Sequence, residues 1–189
     1  LACAVALLVP PSFHNVRATG GFAGPTLNGG VNLAIGNNPA ANGFYVALVP
    51  GDWRSDPAGT AYLAREEGLD DVSLGDADRI WRDRALQWMG ENPVRAAGLW
   101  AKKMWLHVQG WEIDQLTPLA AWPAAVPALR LLVAPYALIM VLALAGAVLT
   151  DRRPPWIWLA APGVLIAVQS VFFVVSRYRL VLEPALVLL

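Results

Sequence analysis

The chain has 189 residues and a formal net charge of zero, with 57% hydrophobic and 15% charged residues. A balanced charge excludes the global electrostatic attraction that basic proteins have for nucleic acid, so no nucleic-acid partner is expected. The single cysteine, Cys3, excludes an intrachain disulfide and any cysteine-based metal site. A mean hydropathy of +0.47 and nine tryptophans favour an integral membrane protein.

Both ends of the chain are apolar. Residues 1–10 read LACAVALLVP, and the last ten read LVLEPALVLL. Each run has about half of the roughly 20 residues that a spanning helix needs. We therefore expect residues 1–10 to be the end of a transmembrane helix and the chain to be an internal fragment of a longer protein. A signal peptide is the alternative, but no basic segment precedes the run.

The central region, residues 11–127, holds twelve of the fourteen acidic residues. It opens with an amide-rich stretch, residues 28–45, which reads NGGVNLAIGNNPAANGFY and contains five asparagines. Glycine steps permit positive φ, so the stretch is predicted to be a tightly folded loop. Asparagine amides donate and accept hydrogen bonds, which suits sugar hydroxyls and equally suits the backbone of a turn. Both interpretations remain open at this point.

Three helical patterns follow in this region. TAYLAREEGLD predicts a short helix whose acidic residues form a solvated face. DADRIWRDRALQWMGE predicts a second helix, and the third begins with Asn92 as N-cap and Pro93 in the first turn. The second helix has one apolar stripe, formed by Trp81, Ala85, Trp88 and Met89.

The third helix is rich in tryptophan and lysine. This composition suits a helix that lies in the lipid headgroup region, with packing onto a soluble core as the alternative. The residues concerned are Trp100, Lys102, Lys103, Trp105 and Trp111.

Two long uncharged segments follow, of 20 residues (131–150) and 23 residues (154–176). Either is long enough to cross a hydrocarbon core of about 30 Å as a helix. We predict transmembrane helices over 128–150 and 156–176, with a buried hairpin in a soluble protein as the alternative. The turn 151–155 carries two arginines, which marks it as cytoplasmic.

The fold class expected from these segments is mainly α: a polytopic helical membrane protein fragment with an extracytoplasmic loop and helical region. Residues 11–127 then lie on the outer side of the plasma (inner) membrane. Residues 177–189 form an outer-face arginine motif and the start of a further transmembrane helix. Arg177 and Arg179 lie at this membrane boundary, where charge is costly, so they are functional candidates. A snorkelling pair is the alternative.

The order of these segments resembles the C-terminal half of GT-C type membrane glycosyltransferases. The matching series is VPPSFHNVR, NGGVNLAIGNNPAANGFY, ENPVRAAGLWAKKMW, the two apolar segments and SRYRLVLEP. The resemblance is to bacterial family 39 members, akin to protein mannosyltransferases and the aminoarabinose transferase of lipid A. It extends over nearly all of the chain through short motifs. Pro11, His14 and Val181 depart from the family pattern, so the Pro10–Arg17 segment indicates a divergent member.

The resemblance implies transfer of a sugar from a polyprenyl-phosphate carrier to a protein, lipid or glycan acceptor at the outer membrane face. It implies that a group of residues binds the substrate or the carrier phosphate: Arg177, Tyr178, Arg179, Asn28, Asn32, Asn37 and Asn38. It assigns structural support to Glu183, Gly29, Gly30 and Gly36. Glu183 is expected to pair with one of the arginines as a clamp, or to touch substrate.

The catalytic base of the family is an aspartate near the N-terminus, which lies upstream of Leu1. No catalytic base is therefore named in this chain, its catalytic residues stay unknown, and the fragment is expected to be inactive alone. His14 and His107 lack the spacing of a zinc site, so no metal is indicated. No nucleotide-type glycine motif is present, so the expected donor is a lipid-linked sugar. A transporter component and a non-catalytic membrane scaffold are the competing functions.

Overall fold

The computed structural model describes residues 2–19, 26–51, 55–110, 113, 126, 136–149 and 156–187. In these ranges the chain is helical and contains no strand, so the expectation of a mainly α protein is confirmed. The helices are α1 (Ala2–Thr19), α2 (Gly29–Gly36), α3 (Thr60–Glu67), α4 (Leu74–Glu91), α5 (Pro93–Val108), α6 (Tyr136–Leu149), α7 (Trp156–Gln169) and α8 (Glu183–Val187), with a 3-10 helix over Ser176–Val181 before α8.

The chain divides into two compact units. Unit 1 comprises Leu1–Ala41 and Val46–Ala96, and unit 2 comprises Asn42–Tyr45 and Ala97–Leu189. The amide-rich stretch falls mainly in unit 1, whereas the arginine motif falls in unit 2. Each unit therefore carries one of the two groups of candidate residues.

The two segments predicted to span a membrane are helical in part. Both α6 and α7 have 14 residues, so each is about 21 Å long at 1.5 Å per residue. Within the described ranges, no helix has both the length and the apolarity needed for a membrane crossing. Residues 128–135 and the turn 151–155 lie outside the described residues, and residues 170–175 are not helical. The membrane-spanning assignment therefore stays a prediction.

Helix α1 is longer than expected. The sequence prediction ended it at residue 10, and proline lacks the N–H that a helix interior needs. In the structure Pro10 and Pro11 lie inside the helix, which continues to Thr19. The Thr19 hydroxyl donates to the carbonyl of Asn15 at 2.9 Å, a bond within the last turn.

Helices α3 and α4 form where the sequence predicts them. Ser73 is the N-cap of α4, and its hydroxyl accepts from the backbone N–H of Asp76 at 3.1 Å. The Ser73 hydroxyl also donates to the Asp76 carboxylate at 2.8 Å. Trp81, Ala85 and Trp88 are buried as expected, while Met89 is half-buried.

The predicted loop in the amide-rich stretch is wrong over Gly29–Gly36, which is helix α2. Glycine weakens helices, so local propensity argued against this conformation. Burial overrides it, since α2 packs against α4 in the interior of unit 1. The positive φ expected of this stretch occurs later, at Gly43, where φ is 99°.

Helix α5 begins at Pro93 as predicted. The backbone carbonyl of Asn92 accepts from the N–H of Ala96, which is the first bond of α5. The Asn92 side chain, however, donates to the carbonyl of Trp88 at 3.0 Å. The Asn92 side-chain amide therefore bonds to a carbonyl of the last turn of α4 rather than to the first turn of α5.

Candidate functional site

Asn37 and Asn38 are used by the backbone of their own helix. The Asn37 amide donates to the carbonyl of Leu33 at 2.9 Å, and the Asn38 amide donates to that of Ala34 at 2.8 Å. These are among the last carbonyls of α2, which have no partner within the helix. Asn38 also accepts from the N–H of Ala40 at 2.7 Å. The structure thus gives both predicted substrate-binding amides a capping role.

Asn28 and Asn32 differ from that pair. Asn28 is the exposed N-cap residue of α2, and its side chain makes no capping bond. Asn32 is half-buried and lies one turn further along the same face. Of the four predicted asparagines, these two have amides that are not used to end the helix.

The three glycines predicted to give structural support differ in how closely they are packed. The N–H of Gly30 donates to the Asp78 carboxylate at 2.6 Å, and a Cβ at Gly30 would lie 1.8 Å from the Asp78 carbonyl oxygen. Only glycine allows this approach of α2 to α4. A Cβ at Gly29 would have no described heavy atom within 4 Å. Gly36 is buried at the end of the helix.

The arginine motif of unit 2 lies on the 3-10 helix Ser176–Val181. Two bonds hold its start: the N–H of Ser176 donates to the Ile113 carbonyl at 3.0 Å, and the Ser176 hydroxyl accepts from the Ile113 N–H at 2.6 Å. Arg177 is exposed, with its guanidinium over the ring of Tyr178 at 5.3 Å. The Tyr178 ring in turn packs on Phe173 with the ring centroids 5.9 Å apart.

Arg179 has the opposite environment, because it is 99% shielded from solvent. Its guanidinium donates to the backbone carbonyl of Leu106 and lies over the ring of Tyr136 at 4.8 Å. Leu106 belongs to the last turn of α5, where carbonyls lack helical partners and a cation is favoured by the helix dipole. Arg179 therefore joins the arginine motif to the end of α5.

Two further polar side chains of α5 are fully buried in unit 2. Lys103 and His107 are one turn apart and share the buried face with Leu99 and Leu106. Burial lowers the pKa of Lys103 to about 8. Burial, together with the nearby Arg179 charge, lowers the pKa of His107 to about 4. The imidazole is therefore neutral at pH 7.

The position of Lys103 corrects the sequence reading, which placed it with the headgroup tryptophans. Its spacing of four from Leu99 and three from Leu106 puts it on the apolar stripe, and this signal could have identified it. Trp105 is exposed as expected, whereas the Trp100 indole donates to the Ala167 carbonyl at 3.1 Å. Trp111 lies outside the described residues.

His107 also carries an unsatisfied pair of ring nitrogens. Neither Nδ1 nor Nε2 has a hydrogen-bond partner in the part of the chain that the structure describes. Sequence reasoning set His107 aside because it has no histidine partner at zinc spacing. In the described ranges no group of three His, Cys, Asp or Glu side chains could hold a metal ion. The other histidine, His14, is exposed on α1.

The remaining charged candidates are at the surface or partly so. Glu183 begins α8 and is half-buried, and within the described ranges no ion pair joins it to Arg177 or Arg179. Its role as a clamp stays a prediction. Glu66 and Glu67 are exposed and both bind Arg84, which agrees with a solvated helix face.

No protein-family model, curated protein or solved structure matches this chain. The resemblance to membrane glycosyltransferases therefore depends on the short motifs quoted above.

Proposed function

We propose that the chain is the C-terminal part of an integral-membrane glycosyltransferase that uses a polyprenyl-phosphate sugar, with Arg177 as a contact to the carrier phosphate. The observation that supports this proposal best is the surface around Arg177. The side chains of Leu180 and Val181, on the same 3-10 helix, are 61% and 55% exposed. A guanidinium beside exposed apolar side chains suits a ligand with a phosphate head and a hydrocarbon tail.

The exposed face of helix α6 supports the proposal that this helix lies in a lipid bilayer. Its exposed side chains are all aliphatic, and they cover one broad face opposite the buried Ala143. Apolar patches of this kind are unusual on soluble monomers and mark contact with a membrane or a partner. A bilayer fits this face because hydrocarbon requires no polar contact. The exposed residues are Leu138, Val141, Leu142, Leu144, Val148 and Leu149.

The chemistry needs a fixed cation at the leaving group. Breaking the glycosidic bond increases negative charge on the carrier phosphate, and a preorganised guanidinium stabilises that charge. Arginine presents a fork of donors that binds phosphate oxygens in pairs. In this proposal Arg177 makes the contact, while Arg179 holds the segment against the end of α5.

In unit 1, the proposal assigns Asn28 and Asn32 to contacts with the sugar. Their amides can donate to and accept from sugar hydroxyls without adding charge. Asn37 and Asn38 each donate an amide N–H to a carbonyl of α2, so the proposal assigns the sugar contacts to Asn28 and Asn32 first.

The test is sugar transfer by the full-length protein in membranes, with radiolabelled polyprenyl-phosphate sugars as donors. We expect Arg177→Ala to lower the transfer rate by about 100-fold or more, as for other lost donors to a developing anion. Arg177→Lys should retain part of the rate because the charge remains. Arg82→Ala, which removes an exposed arginine of α4, is the matched control.

Unchanged transfer by the Arg177→Ala protein would show that this arginine does not contact the phosphate. Absence of transfer from every donor, with solute movement across the membrane instead, would favour a transporter component.

A further inference from the structure

Helix α5 has apolar residues on two opposite faces. One face is buried and includes Leu99 and Leu106. At about 100° per residue, the opposite face includes Val94, Ala101 and Trp105. Val94 and Trp105 are 85% and 66% exposed, and Ala101 is exposed as well. A surface helix in water normally has polar residues on its outer face, so this exposed apolar face calls for a partner.

The two edges of the exposed face differ in charge. Arg95 and Lys102 are both exposed, and they lie on the same edge because seven residues make about two helical turns. Every charged residue of α5 is basic. Trp100 and Met104 lie on the other edge. An apolar face with tryptophan and a basic edge is typical of a helix that lies in the plane of a membrane interface.

The tryptophan edge adjoins exposed aliphatic side chains of α7. The Trp100 indole donates to the carbonyl of Ala167 at 3.1 Å. Val164 and Val168, one turn apart on α7, are 61% and 57% exposed. Within unit 2 the exposed residues therefore change from valine on α7 to tryptophan and then to lysine on α5. A bilayer changes in the same order, from hydrocarbon through the interface to the headgroup phosphates.

We propose that α5 lies along the headgroup layer of a lipid bilayer, with the Lys102 edge toward the phosphates and the Trp100 edge toward the hydrocarbon. A bilayer fits this surface better than a second copy of the chain. The exposed aliphatic side chains extend over α6 and α7 as well as α5, and a bilayer covers all of them at once. The inference deepens the proposed function and rests on it only for the presence of a bilayer at unit 2.

This position of α5 determines the depth of the arginine motif. The Arg179 guanidinium binds the carbonyl of Leu106, the residue after Trp105. The 3-10 helix Ser176–Val181 is therefore attached to α5 at the level of the headgroups. In this arrangement the exposed Arg177 meets the carrier phosphate at the depth at which the lipid phosphates lie.

The experiment measures the depth of single nitroxide labels on the 189-residue chain in liposomes of phosphatidylcholine and phosphatidylglycerol. Cys3→Ser removes the only native thiol. Ala101→Cys, Lys102→Cys and Met104→Cys then place labels on the exposed face of α5 and on its two edges. Arg82→Cys, at an exposed position of α4, is the matched control. Depth follows from collision rates with oxygen, which concentrates in hydrocarbon, and with a nickel chelate, which stays in water.

We expect the ratio of oxygen collisions to nickel collisions to increase in the order Arg82, Lys102, Ala101 and Met104. A second measurement serves if a cysteine variant does not fold. Fluorescence quenching by brominated lipids is compared between the wild-type chain and Trp105→Phe, which changes only an exposed ring. The contribution of Trp105 should be quenched more by bromine near the headgroup end of the acyl chain than by bromine near its methyl end.

Two results would overturn the proposal. One is an Ala101 label that collides with the nickel chelate as often as the Arg82 label does. The other is a spin–spin interaction between Ala101 labels that disappears on dilution with unlabelled chain, because it would show a second copy on this face. Both are separate from the proposed function. Sugar transfer that depends on Arg177 would survive a water-exposed α5, and lipid contact of α5 would survive a protein without transferase activity.

Discussion

Replacing Gly30 by alanine tests what the amide-rich stretch does. The added Cβ would lie 1.8 Å from the Asp78 carbonyl oxygen, whereas ordinary contacts begin near 3.4 Å. Helices α2 and α4 must therefore separate by about 1.6 Å at this point. Such overpacking costs about 1–3 kcal/mol, and loss of the bond from Gly30 to the Asp78 carboxylate adds about 1.5–3 kcal/mol. We expect the free energy of unfolding to fall by about 3 kcal/mol or more.

Gly29→Ala is the matched control, one residue earlier on the same helix. A Cβ there would meet no described heavy atom within 4 Å, and the backbone φ is not positive. Alanine favours helices over glycine by about 1 kcal/mol, so we expect unchanged or slightly higher stability. Circular dichroism during denaturant unfolding measures both variants. Amide hydrogen exchange over residues 29–36 and 74–91 then locates the change.

Equal stability of the two variants would refute the packing argument. A loss of sugar binding with unchanged hydrogen exchange would instead indicate that Gly30 contributes directly to the site. The expected pattern is faster exchange in both helices for Gly30→Ala alone.

The two buried bases of α5 give further predictions. Burial keeps the pKa of His107 at about 4, below its usual 6.5, so the unfolded chain binds a proton at a higher pH than the folded chain does. As the pH is lowered from about 6.5 to 4, the free energy of unfolding should therefore fall by roughly 3 kcal/mol. His107→Leu should remove this dependence in denaturant titrations at pH 7, 5 and 4, and an unchanged slope would contradict it. The pKa of Lys103 is about 8 rather than 10.5, so stability should rise with pH across that interval. Lys103→Met removes the cost of burying the charged ammonium away from water. We therefore expect the free energy of unfolding at pH 7 to be about 1–3 kcal/mol larger for this variant. A less stable variant would show that the ammonium contributes favourably to the folded state.

The helices of unit 1 show what local pattern can determine. Trp81, Ala85 and Trp88 recur at helical spacing, and the N-cap bond from the Asp76 N–H to the Ser73 hydroxyl marks where α4 begins. Pro93 marks the start of α5 because its missing N–H is not needed in the first turn. These features depend on residues within a few positions of one another. They could therefore be predicted without knowledge of the fold.

The candidate site depends on distant residues, and there the sequence alone was insufficient. The arginine motif could be predicted as a site, but not the difference between exposed Arg177 and buried Arg179. That difference arises because the Arg179 guanidinium binds a carbonyl 73 positions earlier in the chain. His107 was set aside because it has no second histidine at zinc spacing, and its burial near the Arg179 charge depends on residues far apart in the sequence.

The sequence by itself determined the helical class, the end of α4 at Glu91, the start of α5 at Pro93 and the presence of two uncharged segments, because periodicity, caps and composition act locally. Only the tertiary structure decided that Gly29–Gly36 is a helix, that Asn37 and Asn38 end it, and that Lys103 and His107 are buried. The physical reason is burial: contact with α4 stabilises a helix that glycine disfavours. In unit 2, the packing of α5 determines which polar groups lose contact with water.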